Sequence, residues 1–145
     1  MRAFIPNIIT EKDIPERLTR KSWDAPVIIK ILEGCKYLFD KPILKGPPSY
    51  IRLEDRNKEH PWHTDTGTKG HMMWCEYSVS VLVSKPSKGG LLKYKNPIAE
   101  YKPEDRYLGA IVHTNNEWHM REMARGKYRV ILLFLGCSSI KPPSP

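Results

Sequence analysis

The pattern of hydrophobic positions changes partway along the chain. Apolar residues at positions 27, 28, 31, 32, 35, 38 and 39 recur at helical spacing, after an Asp24-Ala25-Pro26 start signal. This run predicts an amphipathic helix that ends at Lys41-Pro42 and covers one face of a sheet. Thr10 is a candidate N-cap for a shorter helix that reaches Leu18. Residues 1–45 are therefore predicted to be the partly helical portion of the fold.

After Pro48 the pattern becomes that of a β-protein. Short segments rich in β-branched and aromatic residues alternate with turn signals such as Asn96-Pro97. Many strands joined by short connections favour an antiparallel sandwich or barrel, here over residues 48–136. The candidate strands span residues 50–54, 74–84, 90–95, 109–114 and 128–135.

Length and composition predict one domain, residues 1–145. Hydrophobic residues make up 40% of the chain and charged residues 28%, which is typical of a globular protein. No apolar run approaches the roughly 20 residues that span a bilayer. The N-terminal residues lack the apolar core of a signal peptide, so we expect a cytoplasmic protein with reduced cysteines.

The formal net charge of +8 leaves two interpretations open. An excess of lysine and arginine favours an acidic partner, nucleic acid included. The basic residues are dispersed, however, with no run of five or six, so a solvated lysine-rich surface is an equally simple explanation. Charge alone does not choose between them.

Candidate metal ligands begin with His63-Thr64-Asp65. Residues two apart on an extended strand point to the same face, so this imidazole and this carboxylate could reach one metal ion. A pair of this kind also arises by chance and is weak evidence alone. A third ligand has two candidates, His113 and His119, between which the residues by themselves do not decide.

Arg129 is the second chemical signal. It stands at the start of an otherwise apolar strand, 128–135, with no acidic residue nearby on that strand. A charge in such a place is costly without an anionic partner, and a bound carboxylate would satisfy it with two parallel hydrogen bonds.

Two histidines and one carboxylate are typical of non-haem iron(II) oxygenases, because they leave half of an octahedral site open. Zinc binds similar ligands. A zinc hydrolase would need a general base at a recognisable spacing, which the sequence does not supply, and zinc would not explain Arg129.

Taken together, the motifs resemble the 2-oxoglutarate/iron(II)-dependent dioxygenase superfamily, in particular its prolyl-4-hydroxylase-like branch. The matching set is His63-Thr64-Asp65, the Gly89-Gly90 pair before a strand, His119, and Arg129 ten positions later. The resemblance implies a mainly β fold, a double-stranded β-helix or jelly roll, with N-terminal helices packed on one sheet. It also favours His119 over His113.

The resemblance further implies roles for individual residues. His63, Asp65 and His119 would bind Fe(II), and Arg129 would bind the distal carboxylate of 2-oxoglutarate, with O2 as the second cosubstrate. Leu92 would line the cosubstrate pocket, and Tyr50 or Arg52 would supply a polar contact there. By strand alternation, Ser78, Ser80 and Leu82 share one face and are candidates for the same cavity. Residues 66–72 are a candidate lid, with an ordinary hairpin loop as the alternative.

The function implied is hydroxylation of a C–H bond, in a prolyl or other peptidyl residue of a peptide or protein substrate, by a monomer or weak dimer. Alternatives are demethylation of a nucleic-acid base, hydroxylation of a free amino acid, or a non-catalytic jelly-roll module that binds metal. The demethylase branch carries a second arginine six residues after the first, where this chain has Leu135.

Overall fold

The computed structural model describes residues 1–40, 50–55, 57–65 and 75–135, with Tyr50 described by its backbone alone. The helices are α1 (Pro26–Cys35) and the short α2 (Pro103–Arg106), with 3-10 turns at Glu11–Asp13, Ser22–Asp24 and Lys36–Leu38. The strands are β1 (Arg2–Ile5), β2 (Tyr50–Asp55), β3 (His60–His63), β4 (Tyr77–Leu82), β5 (Lys88–Gly89), β6 (Leu92–Lys95), β7 (Ile98–Tyr101), β8 (Ala110–Thr114), β9 (His119–Arg121), β10 (Ala124–Arg125) and β11 (Arg129–Leu135).

The strands form two main antiparallel sheets and a short ribbon. The larger sheet has the order β1-β8-β4-β11-β2, and the smaller has the order β3-β9-β6-β7. The ribbon pairs β10 with β5. A cavity lies between the two sheets, because its lining comes from β2, β4, β8 and β11 on one side and β3, β6 and β9 on the other. The chain is therefore mainly β with the jelly-roll architecture expected from its sequence.

One face of the larger sheet carries the hydrophobic core. Side chains alternate along each strand, so every second residue of β4, β8 and β11 points to this face. Helix α1 covers it with Val27, Ile28 and Ile31, all nearly inaccessible to solvent. The sheet residues in the same cluster are Ile51, Tyr77, Val79, Val81, Ala110, Val112, Ile131, Leu133 and Leu135.

The N-terminal part differs from its prediction in two ways. The helix expected from Thr10 to Leu18 is wrong: a 3-10 turn ends at Asp13, and Pro15 follows. Proline lacks the N–H that a continuing helix would use. In addition, residues 2–5 form an edge strand paired with β8, since Phe4 lies opposite Ile111 and Ile5 opposite Ala110. The predicted longer helix is present as α1 and the following 3-10 turn.

Two further features bear on the sequence analysis. Residues 66–72, the candidate lid, lie outside the described residues. Within the described part of the chain, no helix has the length and apolar character that a bilayer crossing requires.

Candidate metal centre

Three of the predicted ligands meet at one end of the cavity. His63 is the last residue of β3 and His119 the first of β9, and the antiparallel pairing of these strands sets the two directly opposite each other. Asp65 follows two residues after His63. The Nε2 atoms of both histidines lie 3.5 Å from Asp65 Oδ1. Their three ligand atoms all lie within 4.8 Å of one another.

Each of the two imidazoles is held in the tautomer that a metal needs. His63 Nδ1 lies 2.7 Å from the carbonyl oxygen of Pro61, and His119 Nδ1 lies 2.9 Å from that of Glu117. A carbonyl only accepts, so both Nδ1 atoms carry a proton, and Nε2, on the side of Asp65, is the atom through which each neutral ring would coordinate a metal. Burial lowers the pKa of His119 to about 4, which keeps this ring neutral and able to coordinate.

The carboxylate of Asp65 is oriented through its other oxygen. Ser78 Oγ donates to Oδ2 over 2.7 Å, and His113 Nε2 donates to the same atom over 2.6 Å. Burial alone would raise the pKa of Asp65, but the hydrogen bond from His113 and the neighbouring imidazoles outweigh it and hold this pKa well below its usual range. Asp65 is thus an ionised group with Oδ1 left for a metal.

His113 supports this centre and is not itself placed as a ligand. Its Nδ1 lies 2.7 Å from the hydroxyl of Tyr94, a donor, and its Nε2 bonds Asp65. With both ring nitrogens engaged, His113 positions the carboxylate. The choice between His113 and His119, which the residues alone left open, therefore falls on His119 by geometry. Tyr94 and His113 were not predicted in these roles.

The donor set fits a divalent transition metal. Two neutral imidazole nitrogens and one carboxylate oxygen form one face of a coordination sphere and leave its other positions to exogenous ligands. The same atoms also suit zinc. The side chains that orient them are hydrogen-bonded in turn, as the ligands of protein metal sites usually are.

Some of the residues predicted for the cosubstrate pocket line the cavity, and others do not. Leu92, Ser78, Ser80 and Arg52 line the cavity, whereas Leu82 is not among its lining residues. Tyr50 lies on β2, but its side chain is outside the described part. Trp62 and Trp118 neighbour two ligands in sequence, yet neither lines the cavity: they are 40% and 49% exposed, beside the ammonium of Lys95.

The role predicted for Arg129, binding of the cosubstrate carboxylate, is not supported, because Arg129 is not among the residues that line the cavity. On β11 the cavity is lined by Val130, Leu132 and Phe134, so Arg129 belongs to the opposite face. Its guanidinium donates to the backbone carbonyls of Pro15 and Glu16, and its Nε lies 3.9 Å from an Asp55 carboxylate oxygen. These partners supply what a bound carboxylate was expected to supply.

Besides Arg52, two buried arginines line the cavity. Arg106, at the end of α2, is 2% exposed, and Arg121, on β9, is 6% exposed. Both guanidinium groups lie over the ring of Tyr128, at 5.6 Å and 4.4 Å from its centre. Strand alternation could have identified Arg121, since it is two residues from His119. Nothing in the sequence around Arg106 indicates that it is buried.

No protein-family model matches the sequence, and no curated protein is significantly similar to it. Solved structures do share its fold. The viral collagen prolyl hydroxylase of Paramecium bursaria Chlorella virus-1, solved with 2-oxoglutarate, has a TM-score of 0.62 at 12% identity, over 92% of this chain and 94% of that chain. A Pseudomonas putida prolyl-4-hydroxylase has a TM-score of 0.56 at 10% identity, over 92% and 91%.

A third similar structure is an epimerase. The non-haem α-ketoglutarate-dependent epimerase SnoN of nogalamycin biosynthesis has a TM-score of 0.62 at 9% identity, over 92% of this chain and 76% of that chain. At these identities the comparisons show the fold, which is the jelly roll of 2-oxoglutarate/iron(II) oxygenases, prolyl hydroxylases among them.

Proposed function

We propose that this protein is a 2-oxoglutarate-dependent iron(II) oxygenase that hydroxylates a C–H bond. The observation that carries the proposal is the convergence of His63 Nε2, Asp65 Oδ1 and His119 Nε2 inside a jelly-roll cavity, each ligand held by a partner of its own. The jelly-roll fold, shared with enzymes of this chemistry, supports it.

The chain's own residues would hold the metal and leave it open on one side. Asp65 would contribute the single negative charge of the ligand set, and the two imidazoles would coordinate as neutral rings. When bound, iron(II) with 2-oxoglutarate and dioxygen supplies the oxidising power for attack on an unactivated C–H bond. Ser78 and His113 keep Asp65 Oδ2 engaged, so that Oδ1 faces the metal without rotation of the carboxylate.

The cavity walls supply the second requirement, a partly dry environment. Leu92 and Val130 are buried apolar residues, and Tyr94, which stacks on His119 with ring centres 5.5 Å apart, is 1% exposed. Such walls limit access of water to a reactive centre and strengthen charge interactions inside it.

For the substrate we propose a prolyl or other peptidyl residue. Two of the similar structures are prolyl hydroxylases, which supports this choice. The third is an epimerase, so a shared fold does not fix the reaction. A nucleic-acid base and a free amino acid are the alternatives that the assay below distinguishes.

The test begins with the metal and the cosubstrate. The protein is purified without metal, loaded anaerobically with iron(II), and titrated with 2-oxoglutarate while the visible charge-transfer absorption is recorded. Oxygen is then admitted and succinate is measured. We expect the band and slow succinate formation without any substrate. Absence of both in folded, iron-loaded protein would overturn the proposal, as would equal succinate from His119→Ala.

The substrate is tested with the same loaded protein. Proline-containing peptides, free amino acids and methylated oligonucleotides are each supplied, and products are identified by mass spectrometry. We expect stimulated succinate and one added oxygen atom on a peptide. Formaldehyde released from an oligonucleotide, with no peptide oxidised, would replace the peptide assignment by base demethylation.

A further inference from the structure

Arg106 stands out among the charged residues of the cavity. It is 2% exposed, it ends α2, and its side chain lines the cavity between the two sheets. One of its terminal nitrogens donates to the hydroxyl of Tyr128. Its Nε is buried and has no hydrogen-bond partner among the described residues. Nor does any carboxylate in that part of the chain form an ion pair with it.

A buried guanidinium in this state is expensive. Arginine keeps its charge in proteins and presents five N–H donors, of which a single neutral hydroxyl satisfies one. The free-energy cost of removing such a charge from water is offset only by a well-placed anion or by several hydrogen-bond acceptors. Because Arg106 faces a cavity, its missing partner can come from outside the chain.

The neighbouring cations are already engaged. One terminal nitrogen of Arg121 donates a hydrogen bond to the carbonyl oxygen of Glu122, and the other donates to that of Lys58. Arg52 pairs with Glu54, with its Nε 3.3 Å from a carboxylate oxygen. Arg106 is therefore the arginine of this cavity whose donors are most available to a ligand.

We infer that Arg106, with the Tyr128 hydroxyl beside it, binds the distal carboxylate of the 2-oxo diacid, in the role that the sequence analysis gave to Arg129. This rests on the proposed function, since the diacid's other end would lie at His63, Asp65 and His119. Arg106 presents a planar fork that suits a carboxylate, and Val130 and Leu92 provide apolar wall for the methylene groups between.

The assignment makes Arg106 a specificity-determining residue. A 2-oxo monoacid of the same length, 2-oxopentanoate, offers a methyl group where 2-oxoglutarate has a carboxylate. That methyl group would leave Arg106 unpaired, so the wild-type protein should discriminate strongly against it. A site built to pair a charge rejects a ligand that lacks one far better than a site of apolar residues does.

The experiment measures binding and needs no turnover. Iron(II)-loaded protein is titrated anaerobically with 2-oxoglutarate and with 2-oxopentanoate, followed by the charge-transfer band. The variant is Arg106→Met, which keeps much of the side-chain volume, and the matched control is Arg129→Met. We expect Arg106→Met to raise the Kd for 2-oxoglutarate by about 30-fold or more. Its Kd values for the two acids should become similar, and Arg129→Met should behave as wild type.

Failure of this inference is distinguishable from failure of the proposed function. If wild-type protein gives the band but Arg106→Met binds 2-oxoglutarate equally well, the inference is overturned and the oxygenase proposal stands. A loss of discrimination in Arg129→Met would overturn it too. If wild-type protein gives no band, the proposed function itself fails.

A second variant guards against misfolding of the first. Tyr128→Phe removes one hydroxyl and keeps the ring on which both arginines pack. We expect it to raise the Kd for 2-oxoglutarate by about tenfold and to change the Kd for 2-oxopentanoate little. Equal weakening of both acids would indicate a general packing defect and would count against the inference.

Discussion

The two faces of the larger sheet do different work although the same strands build both. On β4, Val79 and Val81 point to the helix-covered face and are fully buried among apolar residues. The residues between them alternate to the other face, where Ser78 and Ser80 line the cavity and Ser78 holds Asp65. Strand β8 repeats the division, with Val112 in the core and His113 at the site.

Adjacent residues of one strand therefore have different roles: one contributes to the stability of the core and the next to the metal centre. Core-face side chains gain their free energy from close packing, and truncation leaves a hole that neighbours fill poorly. On the cavity face, Ser78 and His113 are polar and are directed by hydrogen bonds to Asp65, an arrangement that commonly costs stability. Substitutions on the core face should therefore lower the free energy of unfolding, whereas substitutions at the metal centre should weaken metal binding.

The largest effect is expected from Asp65→Ala on the cavity side. This change removes the only carboxylate of the triad and leaves two neutral imidazoles, so iron(II) should no longer remain bound. Metal content after anaerobic dialysis measures the result, and far-ultraviolet circular dichroism checks the fold. Iron retained at the wild-type ratio in this variant would show that the metal sits elsewhere.

Leu133→Ala should be the counterpart on the core face. Leu133 is fully buried within the cluster under α1, so the free energy of unfolding should fall by about 2–5 kcal/mol. The iron(II) affinity of the protein that stays folded should not change. Denaturant titration and metal titration give the two quantities. Leu132→Ala, its half-buried neighbour on the cavity face, is the matched control and should lose less stability.

His113→Phe tests the support of the metal ligand. The substitution keeps a ring but removes the 2.6 Å hydrogen bond to Asp65 Oδ2, so the carboxylate is less well oriented. Iron(II) affinity should fall by about 10–100-fold, which metal titration measures. Tyr94→Phe breaks only the next link, the hydroxyl contact to His113, and should have a smaller effect in the same direction.

The contrast between the faces also explains what the sequence could predict. Strands β2, β4, β6, β8 and β11 and the pair His63 and Asp65 follow from local sequence pattern, and β4 shows why, with serines on one face and valines on the other. Strands β3, β7 and β9 were not among the predicted segments. Strand β11 has no such contrast. Its residues after Arg129 are apolar on both faces, so the sequence does not reveal which face Arg129 shares.

That face is set by long-range pairing, with Val130 opposite Leu82 on β4 and Glu54 on β2. Arg106 was missed for a related reason. Its segment, Pro103-Glu104-Asp105-Arg106, resembles an exposed charged turn, and the arginine is buried because α2 docks beside β4 and the side chain packs against Tyr128. Local pattern fixes the period of a strand, whereas distant contacts fix which face is inside.

Arg129→Met tests whether Arg129 has a structural role on the core side, and we expect a modest loss of stability. The change removes hydrogen bonds to the carbonyls of Pro15 and Glu16 on the core side, at a site that is partly exposed. We expect a loss of about 1 kcal/mol in the free energy of unfolding, measured by denaturant titration. A protein with wild-type stability would mean that these contacts contribute nothing to holding the N-terminal segment.

The smallest effect concerns an ion pair at the outer edge of the core-side layer. Lys30 of α1 donates to Asp13 over 2.7 Å, and this hydrogen bond, together with those from Thr10, lowers the pKa of Asp13 from 3.8 to about 2. A carboxyl group with a lowered folded pKa stabilises the protein above its unfolded pKa and loses that contribution as pH falls through the folded value.

Lys30→Met should therefore narrow the difference between the melting temperatures at pH 6 and pH 2, because the variant has less of this contribution to lose. Asp13 and Lys30 lie at the surface and are partly accessible to solvent, so the change should be small and should diminish in high salt. Thermal unfolding of both proteins across that range measures it. An undiminished acid effect in the variant would show that the pair of Lys30 and Asp13 does not contribute to the acid sensitivity.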